Sequence, residues 1–540
     1  MTSLAERKQN GAYYTDEAVA RFLVSWAFRR AETAVLDPSC GDGVFLREAL
    51  RYRPDARVVG VDISPEAVAC ARQGLAETAA EVIAQDFFSV TPGTLGRFDA
   101  VVGNPPFVRF HRFAGTARAR ALAAAQTAGV HLSGLSSAWA PFLVHAASFV
   151  KPGGRLAMVA PAELLHAAYA RPVLRHLCHS FRHVVIITFE RRLFTGLSQD
   201  TVLVLCDDSG SRFAQLRILN LADQWQLESL LDVDPEFSAG RTMDVEPVLS
   251  GEERALTYLL SPRTRELYLR LRDSEQVTML GEQIAVSIGY VTGNNAFFHL
   301  SQDEAAARGL PPRHLRPVVR RADELRGLAY TEGDWETSPQ ANAKRYLLDL
   351  PADLPDLPAP VRAYLAEGER QGVPRAYKCR MRDPWYTVPG VYTPDVLLTY
   401  MIHTNPRLVL NQTAAAAPNS LLVGMVRKRS VSPRYLALAM MTSLSLLSAE
   451  LEGHSLGGGL LKLEPREASR VRVPVVNGAD LRRIERFFPR LDASVRRGEW
   501  IGVQQEVDRA ILHGALGLTA RDCDLLRRGW VSLQQRRLNR

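Results

Sequence analysis

Short apolar runs alternate with helical stretches from residue 33 to about 205, and this alternation constrains the fold more than any other feature of the chain. Runs rich in β-branched residues that are separated by helices form βαβ units, and such units build a parallel sheet. The pattern therefore predicts an α/β, Rossmann-like, doubly wound sheet whose ligands bind at the carboxyl ends of the strands. The predicted strands are Ala34–Leu36, Val58–Val61, Val82–Ala84, Ala100–Gly103, Arg155–Ala160, Val184–Phe189 and Thr201–Cys206. The predicted helices are Gly43–Arg51, Pro65–Glu77, Ala138–Val150 and Ala162–Cys178.

The length of the chain requires more than one domain. Single cores stop growing near roughly 250–300 residues, and this chain has 540. Residues 207–250 are acidic and irregular, which predicts a boundary there. The predicted domains are therefore 1–235 and 250–540. We expect the second to be mixed α+β, with a helix over Pro433–Leu451 and a helical tail from about residue 478.

The composition is that of a globular protein, with 46% hydrophobic and 23% charged residues. No apolar run reaches the roughly 18 residues that cross a bilayer, and the N-terminus lacks the apolar stretch of a signal peptide. Six cysteines are scattered without a C-x-x-C pair, which argues against a zinc site or a disulfide framework. We therefore expect a cytoplasmic protein that has no membrane contact and needs no metal for its chemistry.

All of the excess positive charge lies in the C-terminal half of the chain. Residues 1–250 contain 25 Lys+Arg against 26 Asp+Glu, whereas residues 251–540 contain 41 against 32. A basic half suits a polyanion such as nucleic acid. An arginine-rich proteome would also give a solvated basic surface, and only six of the 66 basic residues are lysines. Charge alone leaves both interpretations open.

A glycine-containing loop, DPSCGDG, follows the first predicted strand at Asp37–Gly43 and opens a helix. Its glycines allow a tight turn whose backbone approaches a ligand closely. The G-x-G-x-x-G spacing of a dinucleotide site is absent. Taken alone, the loop also fits any strand-to-helix turn of an α/β protein.

Acidic residues end the next two strands. Asp62 lies about 20 residues past the loop, where a carboxylate accepts hydrogen bonds from two ribose hydroxyls. Asp86 and Phe87 follow the third strand and offer an acceptor for an adenine amino group beside an aromatic face. Each acid could instead cap the following helix. Three acidic strand ends beside a glycine loop nevertheless favour an adenosine-bearing cofactor that lacks a pyrophosphate.

The fourth strand delivers the tetrad Asn104-Pro105-Pro106-Phe107 to the same edge. Two prolines cannot continue a central strand and they fix φ, so the backbone is held rigid with its carbonyls directed outward. The side-chain oxygen of Asn104 and the carbonyl of Pro105 can both accept hydrogen bonds from one NH2 group. Phe107 can stack on the planar group that bears this nitrogen. The arrangement suits attack of an amino nitrogen on a sulfonium methyl, which needs positioning and electrostatic stabilisation rather than a strong base.

In this order the motifs resemble the amino-group DNA methyltransferases of the TaqI type, whose chains run from the cofactor loop through N-P-P-[FY] to a C-terminal target-recognition domain. The resemblance covers residues 11–206 and implies S-adenosyl-L-methionine as the cofactor. It also implies that Phe194, in RRLFTGLSQDTVLVL, packs against the second face of the target base, although a buried core phenylalanine is the alternative. The residues nominated for the cofactor are Tyr14, Thr15, Asp37, Ser39, Cys40, Gly41, Asp62, Asp86, Phe87 and Pro106.

The same resemblance favours N6 of adenine in double-stranded DNA over N4 of cytosine, because cytosine-N4 enzymes more often carry Ser in place of Asn104. Catalysis then implies base flipping, since a duplex hides the adenine amino group. GAYYTDEAVARFLV, which begins at residue 11, resembles the family's N-terminal motif that closes over the methionine part of the cofactor. Larger relatives often carry an N-terminal nuclease, and this chain begins about ten residues before that motif. We therefore expect methylation without cleavage, in restriction-modification or phage defence, and a separate restriction endonuclease is left open as a partner.

Segments of the C-terminal half resemble the recognition domains of larger members of this group. SIGYVTGNNAFF, at residues 287–298, contains a Gly-Asn-Asn turn whose amides can pair with adenine edges. CRMRDPWYTVP, at residues 379–389, combines guanidinium and aromatic groups that suit contact with DNA backbone or bases. The predicted DNA contacts are Asn294, Asn295, Arg380, Arg382, Trp385 and Tyr386.

Three other functions share parts of this pattern. Glutamine-N5 methyltransferases that act on proteins also use an Asn-Pro-Pro tetrad, but they are compact and lack a basic C-terminal domain. RNA adenine methyltransferases share the tetrad as well. A DNA-binding specificity subunit with an inactive methylase domain is the non-enzymatic alternative, and intact Asn104, Asp37 and Asp62 argue against it.

Overall fold

The computed structural model describes residues 15–28, 34–108, 113–134, 136–194, 200–211, 215–337, 343–352, 356–427, 432–456 and 458–539. The chain divides into two compact units. The first unit comprises Met1–Leu260, Leu456–Gly459 and Arg536–Arg540, and the second comprises Ser261–Ser455 and Leu460–Gln535. Among the described residues, no helix combines the length and the apolar character that a membrane span requires.

Within the described residues, the first unit is built on a nine-stranded sheet with the spatial order β3-β2-β1-β4-β5-β7-β6-β8-β9. Strands β3, β2, β1, β4 and β5 are parallel, and β7 is antiparallel to both β5 and β6. The strands are β1 (Ala34–Asp37), β2 (Arg57–Asp62), β3 (Glu81–Ala84), β4 (Phe98–Gly103), β5 (Val150–Pro161), β6 (Phe181–Phe189), β7 (Thr201–Ser209), β8 (Gln215–Leu221) and β9 (Arg241–Met243). The predicted doubly wound sheet is confirmed, and every predicted strand is present.

Helices cover the sheet, so that its central strands are buried on both faces. All four residues of β1 are buried, and β4 has five buried residues of six. Near-continuous apolar runs are typical of parallel strands in this position. The helices are α1 (Glu17–Ala27), α2 (Val44–Tyr52), α3 (Pro65–Gly74), α4 (Pro92–Leu95), α5 (Gly115–Thr127), α6 (Trp139–Ala147), α7 (Arg171–Ser180), α8 (Leu227–Val233) and α9 (Val245–Ser250).

The helix predicted over Ala162–Cys178 is wrong in its first half. Two short 3₁₀ turns, Ala162–Leu165 and Ala168–Ala170, precede α7, which begins only at Arg171. The cause is Pro172, which lacks an N–H and would clash with the preceding turn in a helix interior but is tolerated in a first turn.

The segment 207–250, predicted to be an irregular boundary, instead continues the sheet. β8 pairs with β6 in parallel, β9 pairs with β8 antiparallel, and α8 and α9 flank β9 in the chain. The first unit accordingly runs to Leu260 rather than to 235. Its acidic residues serve local structure: Asp234 accepts hydrogen bonds from the backbone of Ser238 and Ala239, which closes the turn before β9.

The second unit is mixed α+β, as predicted. Its largest sheet has five strands among the described residues, in the order Ile284–Ile288, Leu421–Val426, Val396–Thr399, Leu408–Asn411 and Ala329–Tyr330. Further pairings join Val277–Met279 with Arg472–Pro474, Tyr346–Leu348 with His299–Leu300 and Leu315–Pro317, and Met401–Ile402 with Leu460–Lys462. Its helices before residue 430 are Pro262–Arg272, Leu280–Gln283, Asn295–Phe298, Gln302–Ala307, Glu332–Glu336, Ala359–Arg370 and Tyr377–Arg380.

Helices dominate the end of the chain, as predicted. The helix expected over Pro433–Leu451 is divided in two, because the Thr442 side chain caps a new helix by accepting from Ser445 N–H. Asp492, in the tail, accepts hydrogen bonds from the backbone N–H groups of Leu328 and Ala329 and so holds the edge strand of the five-stranded sheet. These helices are Pro433–Ala439, Ser443–Glu452, Pro465–Arg470, Gly478–Glu485, Phe488–Arg496, Trp500–Asp508 and Ala520–Leu538.

Candidate active site

The predicted site residues of the first unit meet at one edge of the sheet. Because β1, β2, β3 and β4 are parallel neighbours, Asp37, Asp62, Asp86 and Asn104 all lie at or just past their carboxyl ends. This edge is where doubly wound sheets bind their ligands. Because β7 is antiparallel to both β5 and β6, the strands β5 and β6 end at the same edge of the sheet. Phe194 belongs to the segment that follows β6 and therefore lies at this edge.

Asp37 is fully buried at the base of the glycine loop. Its Oδ1 accepts a hydrogen bond from Ser39 N–H at 3.0 Å, whereas none of the described residues donates to its buried Oδ2. Gly103 makes room for the carboxylate, since a Cβ at that position would lie 2.8 Å from Asp37 Oδ1. Burial raises the pKa of Asp37 well above its ordinary value, the Ser39 N–H bond opposes this, and Asp62 and Asp42 raise it further. A buried acceptor without a donor suits the cationic methionine part of the cofactor.

Asp62 connects the glycine loop to the next helix. Its carboxylate accepts from Gly41 N–H and from Ser64 N–H, each at 2.9 Å. A carboxylate has about four acceptor positions, so positions remain for ribose hydroxyls. The Cys40 thiol is buried, and burial raises its pKa, so this residue serves the loop through its backbone, whose N–H donates to Val61 O.

Ile63 is a candidate site residue that the sequence reasoning missed. It follows Asp62 directly and is 71% exposed. An exposed isoleucine beside the carboxylate nominated for the ribose offers an apolar face for a nucleoside base. The signal was available in the sequence, as an isoleucine placed immediately after an acidic strand end.

The Asp86 carboxylate has two protein partners. Oδ1 accepts from Phe88 N–H at 3.0 Å, and Oδ2 pairs with Arg120 Nη1 of α5 at 2.5 Å. The capping role considered from the sequence is therefore present. The expectation that Phe87 offers an open aromatic face needs correction, because its ring is buried against Phe142 and Phe149, at centroid distances of 4.9 and 5.1 Å.

His145 contacts the backbone and the ring of Phe87, next to Asp86. Its Nε2 lies 2.9 Å from Val90 O and 3.2 Å from Phe87 O, so this nitrogen carries the hydrogen, and its ring packs 4.7 Å from that of Phe87. Burial lowers the pKa of His145, and the neutral ring is the form that fits. Sequence reasoning missed His145, since nothing local to α6 connects it with a loop 55 residues earlier in the chain.

Asn104 is fixed by two contacts. Its Nδ2 donates to Thr15 Oγ1 at 3.2 Å, and its backbone oxygen accepts from Ser39 Oγ at 3.2 Å. Its side-chain Oδ1 is buried and has no hydrogen-bond partner within the part of the chain that the structure describes. The amide is thus held by its nitrogen, which leaves its oxygen available to accept a hydrogen bond from a substrate NH2 group.

Pro105, Pro106 and Phe107, the other three residues of the tetrad, form a rigid segment after Asn104. Pro105 and Phe107 are buried, and Pro106 is partly buried. Phe194 is partly buried and packs against the same hydrophobic core that contains Phe107, so both the substrate-facing role and the core role remain compatible with its position. Tyr14 lies outside the described residues.

A buried network that the sequence reasoning missed supports the loop after the tetrad. Val108 O accepts a hydrogen bond from Ala138 N–H at 3.0 Å, at the start of α6. The next residue, Trp139, donates from Nε1 to Tyr169 Oη at 3.1 Å, and Tyr169 in turn donates to Glu163. Burial and the neighbouring Glu163 raise the pKa of Tyr169, which therefore stays protonated as the donor in this chain.

In the second unit, the structure brings the two predicted DNA-binding segments together. Arg382 donates to Thr292 O at 2.8 Å and also to Val291 O, next to the Gly-Asn-Asn turn. Asn294 Oδ1 caps the following helix by accepting from Phe297 N–H at 3.2 Å, and Asn295 Oδ1 accepts from Thr292 Oγ1 at 2.6 Å. Both amide oxygens are thus committed to the turn.

The aromatic residues of the second segment are partly buried. Trp385 packs against Phe297 at 5.6 Å and donates to Glu369, and Tyr386 packs against Trp385 at 5.9 Å. Arg380, by contrast, is exposed, and its guanidinium lies 5.3 Å from the ring centroid of Tyr377. DNA contact by these residues stays a prediction, with Arg380 the most accessible of them.

Comparison with known proteins divides the chain in the same way. Residues 1–226 match the family model described as N-6 DNA Methylase, and residues 252–512 match the one described as Type II methyltransferase M.Eco57I, C-terminal domain. Type II methyltransferase M.XamI of Xanthomonas campestris pv. amaranthicola is 26% identical over 476 residues, which cover 86% of this chain and 85% of that protein.

Two further matches differ in extent. The release factor glutamine methyltransferase of Mycolicibacterium smegmatis is 34% identical over 91 residues, only 16% of this chain and 32% of that protein. The structure of a DrdV–DNA complex aligns with 91% of this chain and 58% of that chain at 12% identity, with a TM-score of 0.51, which shows the fold. The resemblance inferred from the sequence is confirmed by the matches of both parts of the chain: it is a class I, S-adenosylmethionine-dependent DNA methyltransferase.

Proposed function

We propose that the protein transfers the methyl group of S-adenosylmethionine to N6 of an adenine in double-stranded DNA at specific sites. The observation that carries the proposal is the Asn104 amide, whose Nδ2 is held by Thr15 while its buried Oδ1 has no partner among the described residues. We further propose that the enzyme is the modification component of a restriction-modification system, which protects these sites from a separate nuclease.

The residues at the sheet edge fit the cofactor. Asp62 offers ribose acceptors, Asp86 an acceptor for the adenine amino group, and Asp37 a buried carboxylate oxygen for positive charge. When bound, the cofactor supplies an electrophilic methyl group. Ile63 supplies an apolar surface for the adenine.

The tetrad acts on the target nitrogen. Asn104 Oδ1 and the Pro105 carbonyl accept hydrogen bonds from the amino group, which draws its lone pair out of conjugation with the ring and stabilises the positive charge that develops on nitrogen. Phe107 supports the base plane, and Phe194 closes its second face. The adenine must leave the helix to reach these groups, so the mechanism requires base flipping.

The basic second unit favours DNA over the alternative substrates. The matched stretch of the glutamine methyltransferase covers 16% of this chain, which leaves most of the chain unexplained by that function. An RNA adenine substrate and a cytosine-N4 product are the remaining alternatives for the tetrad. Identification of the methylated nucleoside separates all of these.

The test is methyl transfer from labelled S-adenosylmethionine to plasmid DNA, followed by digestion to nucleosides and mass spectrometry. We expect N6-methyladenine as the product, and none from Asn104→Ala. N4-methylcytosine would overturn the adenine assignment, and transfer only to RNA or to protein would overturn the DNA assignment. DNA binding without any transfer would favour the inactive specificity subunit.

A further inference from the structure

The second unit carries one exposed surface on which the two predicted DNA-binding segments meet. Gly293 abuts the short helix Tyr377–Arg380, since a Cβ at Gly293 would lie 2.9 Å from Lys378 Cβ. The φ of Gly293 is +87°, a region that favours glycine. Cys379 Sγ donates to Thr292 O at 3.6 Å. The helix is therefore fastened to the turn by its buried side.

Some residues near this surface are buried and hold it against the rest of the unit, and others are exposed to solvent. Cys379 is buried, Arg382 is partly buried with its guanidinium on backbone carbonyls, and Trp385 is partly buried and packs against the core. Tyr377 and Met381, by contrast, are 62% and 69% exposed. Single exposed apolar residues are common, but two large ones within five positions form a patch of the kind that marks an interaction site.

Cations surround this apolar patch. The Lys378 Nζ and the Arg380 guanidinium lie 5.7 and 5.3 Å from the centroid of the Tyr377 ring. Arg370 and Arg375, just before them in the chain, are exposed as well. Among the described residues, none of these four side chains forms an ion pair with a carboxylate, whereas many other arginines of the unit do.

We propose that Tyr377, Lys378, Arg380 and Met381, together with Asn295, form a surface that contacts double-stranded DNA, with the cations on phosphates and the apolar side chains against bases or sugars. The inference rests on the proposed function, because it assumes that DNA is the substrate. We call these five residues the 377–381 surface. In this proposal Tyr377, Lys378 and Met381 contact DNA, whereas Arg382 and Trp385 support the surface.

The chemistry of the surface favours DNA over a protein partner. Unpaired cations at an exposed surface suit phosphates, which supply most of the sequence-independent affinity for DNA. Asn295 is exposed and its oxygen is held by Thr292, which leaves its NH2 group to donate to a base acceptor. The net charge of residues 251–540, with 41 basic against 32 acidic residues, has the same sign.

The test measures binding of the full-length protein to a fluorescently labelled duplex DNA of mixed sequence over a range of salt concentrations. We expect Lys378→Ala and Arg380→Ala each to reduce the slope of log K against log salt by about 1. Tyr377→Ala and Met381→Ala should weaken binding about tenfold without changing the slope.

Arg528→Ala is the matched control, because Arg528 is 74% exposed in the same unit but pairs with Asp524 at 2.7 Å. It should leave both affinity and slope unchanged, and cofactor affinity should be unchanged in every variant. An unaltered slope in Lys378→Ala and Arg380→Ala would overturn the proposal, as would variants that lose affinity only for duplex RNA. If the wild type methylates DNA and the variants bind normally, the surface alone is refuted. If the variants lose DNA affinity but the wild type transfers no methyl group, the surface stands and the proposed function fails.

Discussion

Thr15 Oγ1 accepts a hydrogen bond from Asn104 Nδ2 at 3.2 Å, across 89 positions of sequence. The contact decides which way the amide faces, since the nitrogen is committed to Thr15 and the oxygen has no partner among the described residues. A residue nominated for the cofactor therefore also orients the amide that we propose for catalysis. We expect Thr15 and the tetrad to act together on the target nitrogen.

Replacing Thr15 tests this orientation. Thr15→Val removes the acceptor with little change of shape, so the amide is free to rotate and to present its NH2 group to the substrate. We expect kcat for methyl transfer to fall roughly tenfold, which corresponds to about 1.4 kcal/mol and to one hydrogen bond. Thr15→Ser keeps the acceptor and should restore most of the rate. Equal losses in both variants would contradict the orienting role.

Asp37 should couple cofactor binding to a proton. Burial holds its pKa well above the ordinary value of 3.8, and a cationic ligand favours the ionised form. Binding of S-adenosylmethionine should therefore release protons at pH values below this raised pKa, and calorimetry in buffers of different ionisation enthalpy measures the release. Asp37→Asn should abolish it. Proton release of the same size in the variant would show that another group titrates.

The same carboxyl should affect the stability of the cofactor-free protein. Because its folded pKa is raised, its contribution to stability is present below the unfolded pKa and is lost as the pH rises through the folded pKa. Relative to Asp37→Asn, the wild type should lose Tm as the pH is raised through that range. A Tm difference that does not depend on pH would contradict this.

His145 should matter for the cofactor without touching it. His145→Leu removes the donor to the carbonyl of Val90, whereas Phe87 O keeps the Val90 N–H as a donor, and an unsatisfied buried acceptor costs about 1–3 kcal/mol. We expect a lower Tm and weaker cofactor binding, with both recovered in His145→Gln, which keeps a donor. Rescue of Tm without rescue of cofactor binding would limit His145 to a role in folding.

The His145 contribution should also depend on pH. Burial lowers its folded pKa from the ordinary 6.5, so its stabilising contribution is present above that value and is lost as the pH falls below it toward the folded pKa. The Tm advantage of the wild type over His145→Leu should therefore shrink under acidic conditions. An advantage that grows on acidification would contradict the neutral assignment.

The sequence predicted those parts of the fold that local patterns of apolar residues determine. The seven predicted strands of the sheet are apolar runs, and their ends carry the acids and the tetrad. β8 and β9 escaped prediction because QLRILNL is only partly apolar and RTM is three residues long, so both depend on pairing with distant strands.

Only those site residues that belong to local sequence motifs were predicted. Arg120 and His145 act on the loop after β3 from helices later in the chain, and no spacing in the sequence connects them. In the second unit, Trp385 and Arg382 are predicted DNA contacts because aromatic and guanidinium groups suit DNA. The sequence did not show that Arg382 also donates to the carbonyls of Val291 and Thr292, or that Trp385 packs against Phe297.

The most direct test of the account is long-read sequencing of plasmid DNA from a host that expresses this gene, with Asn104→Ala as the matched variant. We predict modified adenines within one recurring motif for the wild type, and none for the variant, which should still bind S-adenosylmethionine. The absence of modified adenines in the wild-type sample, or their persistence in the Asn104→Ala sample, would contradict the role that we assign to the tetrad.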